Sequence, residues 1–159
     1  MDESIFPIAP YITRGWFKRY SKPEMKYEHK RKERHCVFGA VSESNTIHSF
    51  TERFNSDTFR DFLLKLVDML KKIVIVIDHA SYHVSHKMQE FYADHKDTVH
   101  VEYFPSYSPK LNPAEQPWRA IKKWLSMRCW DNKDELKEQI ELAFQQDFVN
   151  VPIYEYLRV

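Results

Sequence analysis

The sequence predicts an α/β chain built on a mixed sheet. Two observations carry that reading. Ile73-Val74-Ile75-Val76-Ile77 is a run of five β-branched residues with no polar alternation, as a strand buried on both faces requires. The stretches around it alternate between strand-like and helix-like patterning, in the order strands, helix, strand, helix, strand, helix.

Each element follows from its residues. Gly15 to Tyr20 is a short strand candidate, His35 to Val41 (HCVFGAV) a second and Thr46 to Phe50 a third, with Glu43 to Asn45 as the polar turn between the last two. Asn55 or Ser56 can cap a helix in which Phe59, Phe62, Leu63, Leu66, Val67 and Leu70 recur at helical spacing. Lys71 and Lys72 close it, where positive charge suits a helix C-terminus. After the Ile73–Ile77 strand come a short helix from Ser85 to Asp94, a strand from Val99 to Phe104 and a Pro/Ser-rich loop from Pro105 to Pro113. Helices are then expected over Pro113 to Cys129 and Asp134 to Phe148, the latter with Leu136, Ile140 and Phe144 inward. Early strands lie close enough for hairpins, and later ones are separated by helices, as parallel crossovers need.

The 159 residues fit one domain, and a hydrophobic share of 43% suffices for a sizeable core. With only two glycines, Gly15 and Gly39, there is no Gly-rich phosphate loop and no dinucleotide fingerprint. Cys36 and Cys129 form neither a CxxC pair nor a zinc spacing, and suggest buried thiols in a reducing compartment. No secretory signal and no apolar run of membrane length is visible, so a cytoplasmic, nucleoid-associated location is expected. A formal net charge of +1 does not announce a nucleic-acid binder. Locally, Lys18, Arg19, Lys22, Lys26, Lys30, Arg31, Lys32 and Arg34 face only three acids, Glu24, Glu28 and Glu33. That stretch suits either a phosphate-binding strip or a solvated hairpin.

Two carboxylates stand out by position. Asp78 directly follows IVIVI, where a central strand emerges at the sheet edge and where open α/β sheets bind ligands; a turn or cap Asp fits the same position. Glu115 follows Asn112-Pro113-Ala114, a spacing that describes a capping box with Asn112 as N-cap and Glu115 as third helical residue. A first-turn Glu also projects beyond the helix end, so the two roles are compatible.

The segment Tyr103-Phe104-Pro105-Ser106-Tyr107-Ser108-Pro109-Lys110-Leu111-Asn112-Pro113-Ala114-Glu115-Gln116-Pro117-Trp118 resembles the signature of the mariner-like insertion-sequence transposases, P-x-Y-S-P-x-L-N-P-x-E-x-x-W. In that family the Glu is the third catalytic carboxylate. Asp78 and His83 match the second carboxylate and the His that follows it, with His79 where Asn is usual, and 36 residues separate Asp78 from Glu115. Asp2-Glu3-Ser4-Ile5-Phe6 and Trp16 match the stretch around the first carboxylate.

The resemblance implies an RNase H-like domain spanning 1–159, in which Asp2, Asp78 and Glu115 hold two Mg²⁺ or Mn²⁺ ions. It also implies cleavage and joining of DNA at transposon ends and target sites by a homodimer. Glu3 reads as a solvent-facing neighbour or else a reserve ligand, His79 and His83 as polar caps of the next helix or else contacts to metal or phosphate, and Trp118, Trp124 and Trp130 as core or interface aromatics. Lys18, Arg19, Lys30, Arg31, Lys32, Tyr107, Ser108, Lys122 and Lys123 are candidate DNA contacts. The family's N-terminal helix-turn-helix region has no counterpart in these residues, and only Met1 precedes Asp2, so the sheet is expected to lack its first strand. An inactive remnant that binds DNA or dimerises as a regulator is the alternative.

Overall fold

The computed structural model describes residues 1–21, 24, 33–105 and 108–156. Strands β1 (Asp2–Pro7), β2 (Arg34–Val41) and β3 (Thr46–Thr51) form an antiparallel sheet in the order β1-β2-β3. Asp2 pairs with Gly39 and Pro7 with Arg34. After helix α1 (Ser56–Leu70), strand β4 (Ile73–Ile77) runs parallel to β5 (Val99–Tyr103), with α2 (His86–Asp94) as the crossover. Then follow α3 (Glu115–Trp124), α4 (Lys133–Phe144) and the single turn α5 (Ile153–Tyr156).

Most elements start where their residues say. Asn55 caps α1 by accepting from the Thr58 N–H, and Thr58 returns the bond, a capping box. Ser85 caps α2 and Asn132 caps α4 in the same way, each accepting from a backbone N–H three residues on. Alternation along β2 divides the core. Phe38 packs with Phe59, Phe62 and Leu63 of α1 on one face. Val37 packs with Trp118, Ile121 and Ile140 of α3 and α4 on the other. Helices thus cover both faces of the β1–β3 sheet.

Several expectations change. Gly15 to Tyr20 forms no strand: the β1–β2 ladder ends at Pro7 apart from one bond, Ile8 N–H to Glu33 O, and Trp16 is fully exposed. Pro7 and Pro10 supply no N–H to a ladder there. In β4 burial alternates, with Val74 70% exposed, so the apolar run is not buried on both faces. The uncovered edge borders an apolar cavity of about 570 Å³ lined by Ala40, Val41, Leu70, Val74, Val76 and Phe104 among others. The mixed sheet expected from the sequence is present as two hydrogen-bonded ladders, antiparallel β1–β3 and parallel β4–β5, and the Met1 nitrogen donates to Val76 O at 2.9 Å. A first strand is present and begins at Asp2, with six residues paired to β2. Helix α4 ends at Phe144 rather than Phe148, because Gln145 leads into a separate 3-10 turn, Asp147–Val149, and the single turn α5 follows it.

Candidate active site

Pairing in β1 sends alternate side chains to opposite faces. Asp2 stands opposite Gly39, on the face covered by α3, and Glu3 stands opposite Phe38, on the face covered by α1. Asp2 is pushed up to about 7, first by burial, then by the charges of Glu3 and Glu115. The Met1 ammonium lies in the combined field of Asp2, Glu3 and Asp78. Asp2, Asp78 and Glu115, distant in the chain, are therefore near the same end of the sheets.

Asp78 lies one residue past β4, with its side chain 59% exposed. Its Oδ1 accepts from Ala80 N–H at 2.9 Å, the Asx-type turn that ends the strand, and from His83 Nδ1 at 2.9 Å. Glu115 opens α3 and is exposed. The capping-box reading fails. Ala114 occupies the cap position, Glu115 is the first helical residue rather than the third, and Asn112 Oδ1 accepts from Ala114 N–H at 3.1 Å. Pro109–Leu111 is a 3-10 turn, so the chain reaches α3 through two tight turns and the helix starts late.

Two residues read as incidental in the sequence are built into the site. His83 is 1% exposed and Glu3's side chain 11%. His83 Nε2 meets Glu3 Oε1 at 2.9 Å while Nδ1 meets Asp78. The ring packs against Phe59 and Tyr82, at centroid separations of 4.2 and 4.4 Å. Burial opposes its charged form, yet Glu3, then Asp78, outweighs burial and raises the pKa. Since both ring nitrogens face carboxylate oxygens, both carry protons when those carboxylates are ionised. Tyr82 is kept protonated by burial, then by Glu3. So Glu3 is not solvent-facing and His83 is not a helix cap; that role belongs to Ser85. The signal available in the sequence was the period-two alternation of Asp2 and Glu3. His79 stacks on Tyr103 at 4.6 Å and is exposed.

Among the other predicted residues, Lys18 and Arg19 are exposed, and Arg19 lies over the Tyr20 ring at 5.0 Å. Lys123 is exposed, while Lys122 is partly covered, its ammonium 5.9 Å from the Phe6 ring. Ser108 is partly buried. Lys30, Arg31, Lys32 and Tyr107 lie outside the described residues. Trp118 is buried against Phe6 and Phe144. As the side chains stand, no three His, Cys, Asp or Glu residues among the described residues converge on one ion position. The donor set nonetheless suits Mg²⁺ or Mn²⁺ in kind: carboxylate oxygens, and an Asp2 whose charge is opposed by neighbouring anions that a cation would offset. No helix among the described residues is long and apolar enough to cross a membrane.

The described residues form an α/β domain with helices on both faces of its antiparallel sheet and carboxylates at strand and helix ends. The chain belongs to the DDE superfamily of endonucleases, whose family model matches residues 1–137. Its fold is that of the Mos1 transposase catalytic domain. It overlays the Mos1 strand transfer complex with a TM-score of 0.73 at 14% identity, covering 97% of this chain and 48% of that one. It overlays the Mos1 mariner paired end complex with Mn with a TM-score of 0.74 at 15% identity, covering 98% and 51%. For the Mos1 catalytic domain with raltegravir and Mg the TM-score is 0.66 at 15% identity, over 77% and 70%. The chain thus spans about half of the proteins in those two complexes. It is also 31% identical over 64 residues, 40% of its length and 44% of the relative's, to an uncharacterized protein, y4pE/y4sA, of Sinorhizobium fredii (strain NBRC 101917 / NGR234).

Proposed function

We propose that this domain cuts and joins DNA as the catalytic domain of a mariner-like transposase, with Asp2, Asp78 and Glu115 as ligands for two Mg²⁺ or Mn²⁺ ions. The observation that carries the reading is electrostatic. Asp2, at the start of β1, is raised to about 7 first by burial, then by its neighbour Glu3 and, more weakly, by Glu115, which is distant in sequence and opens α3. Carboxylates held against their own repulsion are what a cation site requires.

The two ions would supply charge neutralisation at the attacking and leaving oxygens of a phosphodiester displacement. The chain's own residues do the rest. Asp78 presents a carboxylate whose Oδ1 is fixed by the Ala80 N–H and His83. Glu115 projects from the N-terminal end of α3, so it pivots toward Asp2 at little cost to the helix. Exposed Lys18, Arg19 and Lys123 offer phosphate contacts that position DNA without reading its sequence. DNA is the expected partner, as in the Mos1 paired-end complex with left transposon end; a homodimer in the cytoplasm, near the nucleoid, is the working assembly.

The alternative, an inactive remnant that binds DNA or dimerises as a regulator, draws on the unconverged carboxylates. One assay decides between them: strand transfer of a pre-cut transposon end with Mn²⁺, comparing the natural protein containing this domain with its Asp78→Asn variant. Mn²⁺-dependent products lost in the variant support the enzyme. DNA binding without products in either protein supports the remnant.

A further inference from the structure

We infer that Glu3 and His83 form a positioning pair that fixes the Asp78 carboxylate from behind, and that Glu3 is not itself a metal ligand. The inference rests on the reading of Asp78 as a ligand and deepens it.

Geometry separates Glu3 from the ligands. Asp2 and Glu3 are adjacent in β1, so one carboxylate faces α3 and Glu115 while the other faces α1. Glu3 reaches His83 Nε2 at 2.9 Å in a pocket walled by Phe59 and Tyr82, away from Asp2. The His83 backbone is held too. Its N–H donates to Ala80 O at 2.9 Å, and its carbonyl accepts from Tyr92 Oη at 3.1 Å. A ring fixed on all sides then holds Asp78 Oδ1 at 2.9 Å.

The consequence lies in how Asp78's two oxygens divide. The Ala80 N–H and His83 bonds both fall on Oδ1. Oδ2 is left as the oxygen for an ion, on a side chain still 59% exposed. Asp78 sits beyond the last β4 residue, where no ladder restrains its side chain. Among the described residues, only the Ala80 N–H, a local bond, would set its rotamer without His83. Outer residues that orient a ligand in this way are worth about 10–100-fold in metal affinity.

The test is Mn²⁺ binding by electron paramagnetic resonance on the full chain, with melting temperatures measured alongside. Asp78→Asn should abolish tight binding. Glu3→Ala and His83→Ala should each weaken it by about 10–100-fold, and the double variant should be no worse than His83→Ala alone. Glu3→Gln keeps an acceptor for the ring while losing the charge, and should stay within about threefold of the parent. If His83→Ala folds poorly, His83→Gln and the Glu3 variants carry the test at a temperature where all are folded. Glu3→Gln as damaging as Asp78→Asn would make Glu3 a ligand and overturn the inference alone. So would Glu3→Ala and His83→Ala variants with lower melting temperatures but unchanged Mn²⁺ affinity. A parent chain that binds no Mn²⁺ would overturn both this inference and the proposed function.

Discussion

Gly39 and Trp118 meet so closely that a methyl group on Gly39 would lie 2.5 Å from the indole ring. Gly39 is the ladder partner of Asp2, and Trp118 lies one turn along α3 from Glu115. The approach of two carboxylate-bearing elements therefore depends on a missing side chain.

Gly39→Ala should displace α3 from the sheet. Overpacking of this kind costs about 1–3 kcal/mol, so the melting temperature should fall by roughly 2–10 °C. Mn²⁺ affinity should fall with it, because Glu115 moves. Adding Trp118→Phe, which removes the ring atoms in contact, should recover part of the affinity; no recovery in a titration would show that the contact does not set Glu115's position.

Asp2 makes the metal-free domain sensitive to pH. Its folded pKa of about 7 lies above the ordinary carboxylate value of 3.8, so protonation favours the folded state. That contribution is complete below 3.8 and is lost as pH rises through about 7. Asp2→Asn should accordingly raise the metal-free melting temperature at pH 8 by on the order of a few °C and change it little near pH 4. Calorimetry at the two pH values checks this, and an equal effect at both would contradict it.

Glu115→Gln should leave the melting temperature within about 1 °C, since an exposed first-turn residue without a cap bond contributes little. Metal-dependent cleavage should be lost. Retained cleavage in a gel assay would remove Glu115 from the ligand set.

Replacing Lys30, Arg31 and Lys32 together by Ala should weaken DNA binding equally across sequences. The slope of log affinity against log salt should flatten by up to about 2–3, near 0.9 per lost phosphate contact. An unchanged slope by fluorescence anisotropy would leave the strip as ordinary solvated surface.

What the residues reveal in advance follows from how local the physics is. The α1 helix was legible because Asn55 and its apolar spacing act within a few residues. β4 was legible as a strand but not as half-exposed, because Val74's surroundings depend on which strand lies alongside it. β1 went unread: its six residues follow the chain start and include polar Asp2, Glu3 and Ser4, so their pairing with β2 is a tertiary fact. Asp2, Asp78 and Glu115, singled out by the motif, lie at the start of β1, just past β4 and at the start of α3. The motif gave no sign that Glu3 faces a histidine 80 positions away.

The gap between the two ladders also bears on cooperativity. β4 and β5 pair along their whole length, from Ile73–Val99 to Ile77–Tyr103, but against β2 the described residues of β4 meet mainly side chains, Phe38 among them. Opening of the β4–α2–β5 unit, with Asp78 and His83 on it, costs few ladder bonds to the rest. Its amides should exchange with solvent deuterium through a sub-global opening, ahead of those in β2. The site is then assembled across a seam, and whatever tightens that seam should tighten the site.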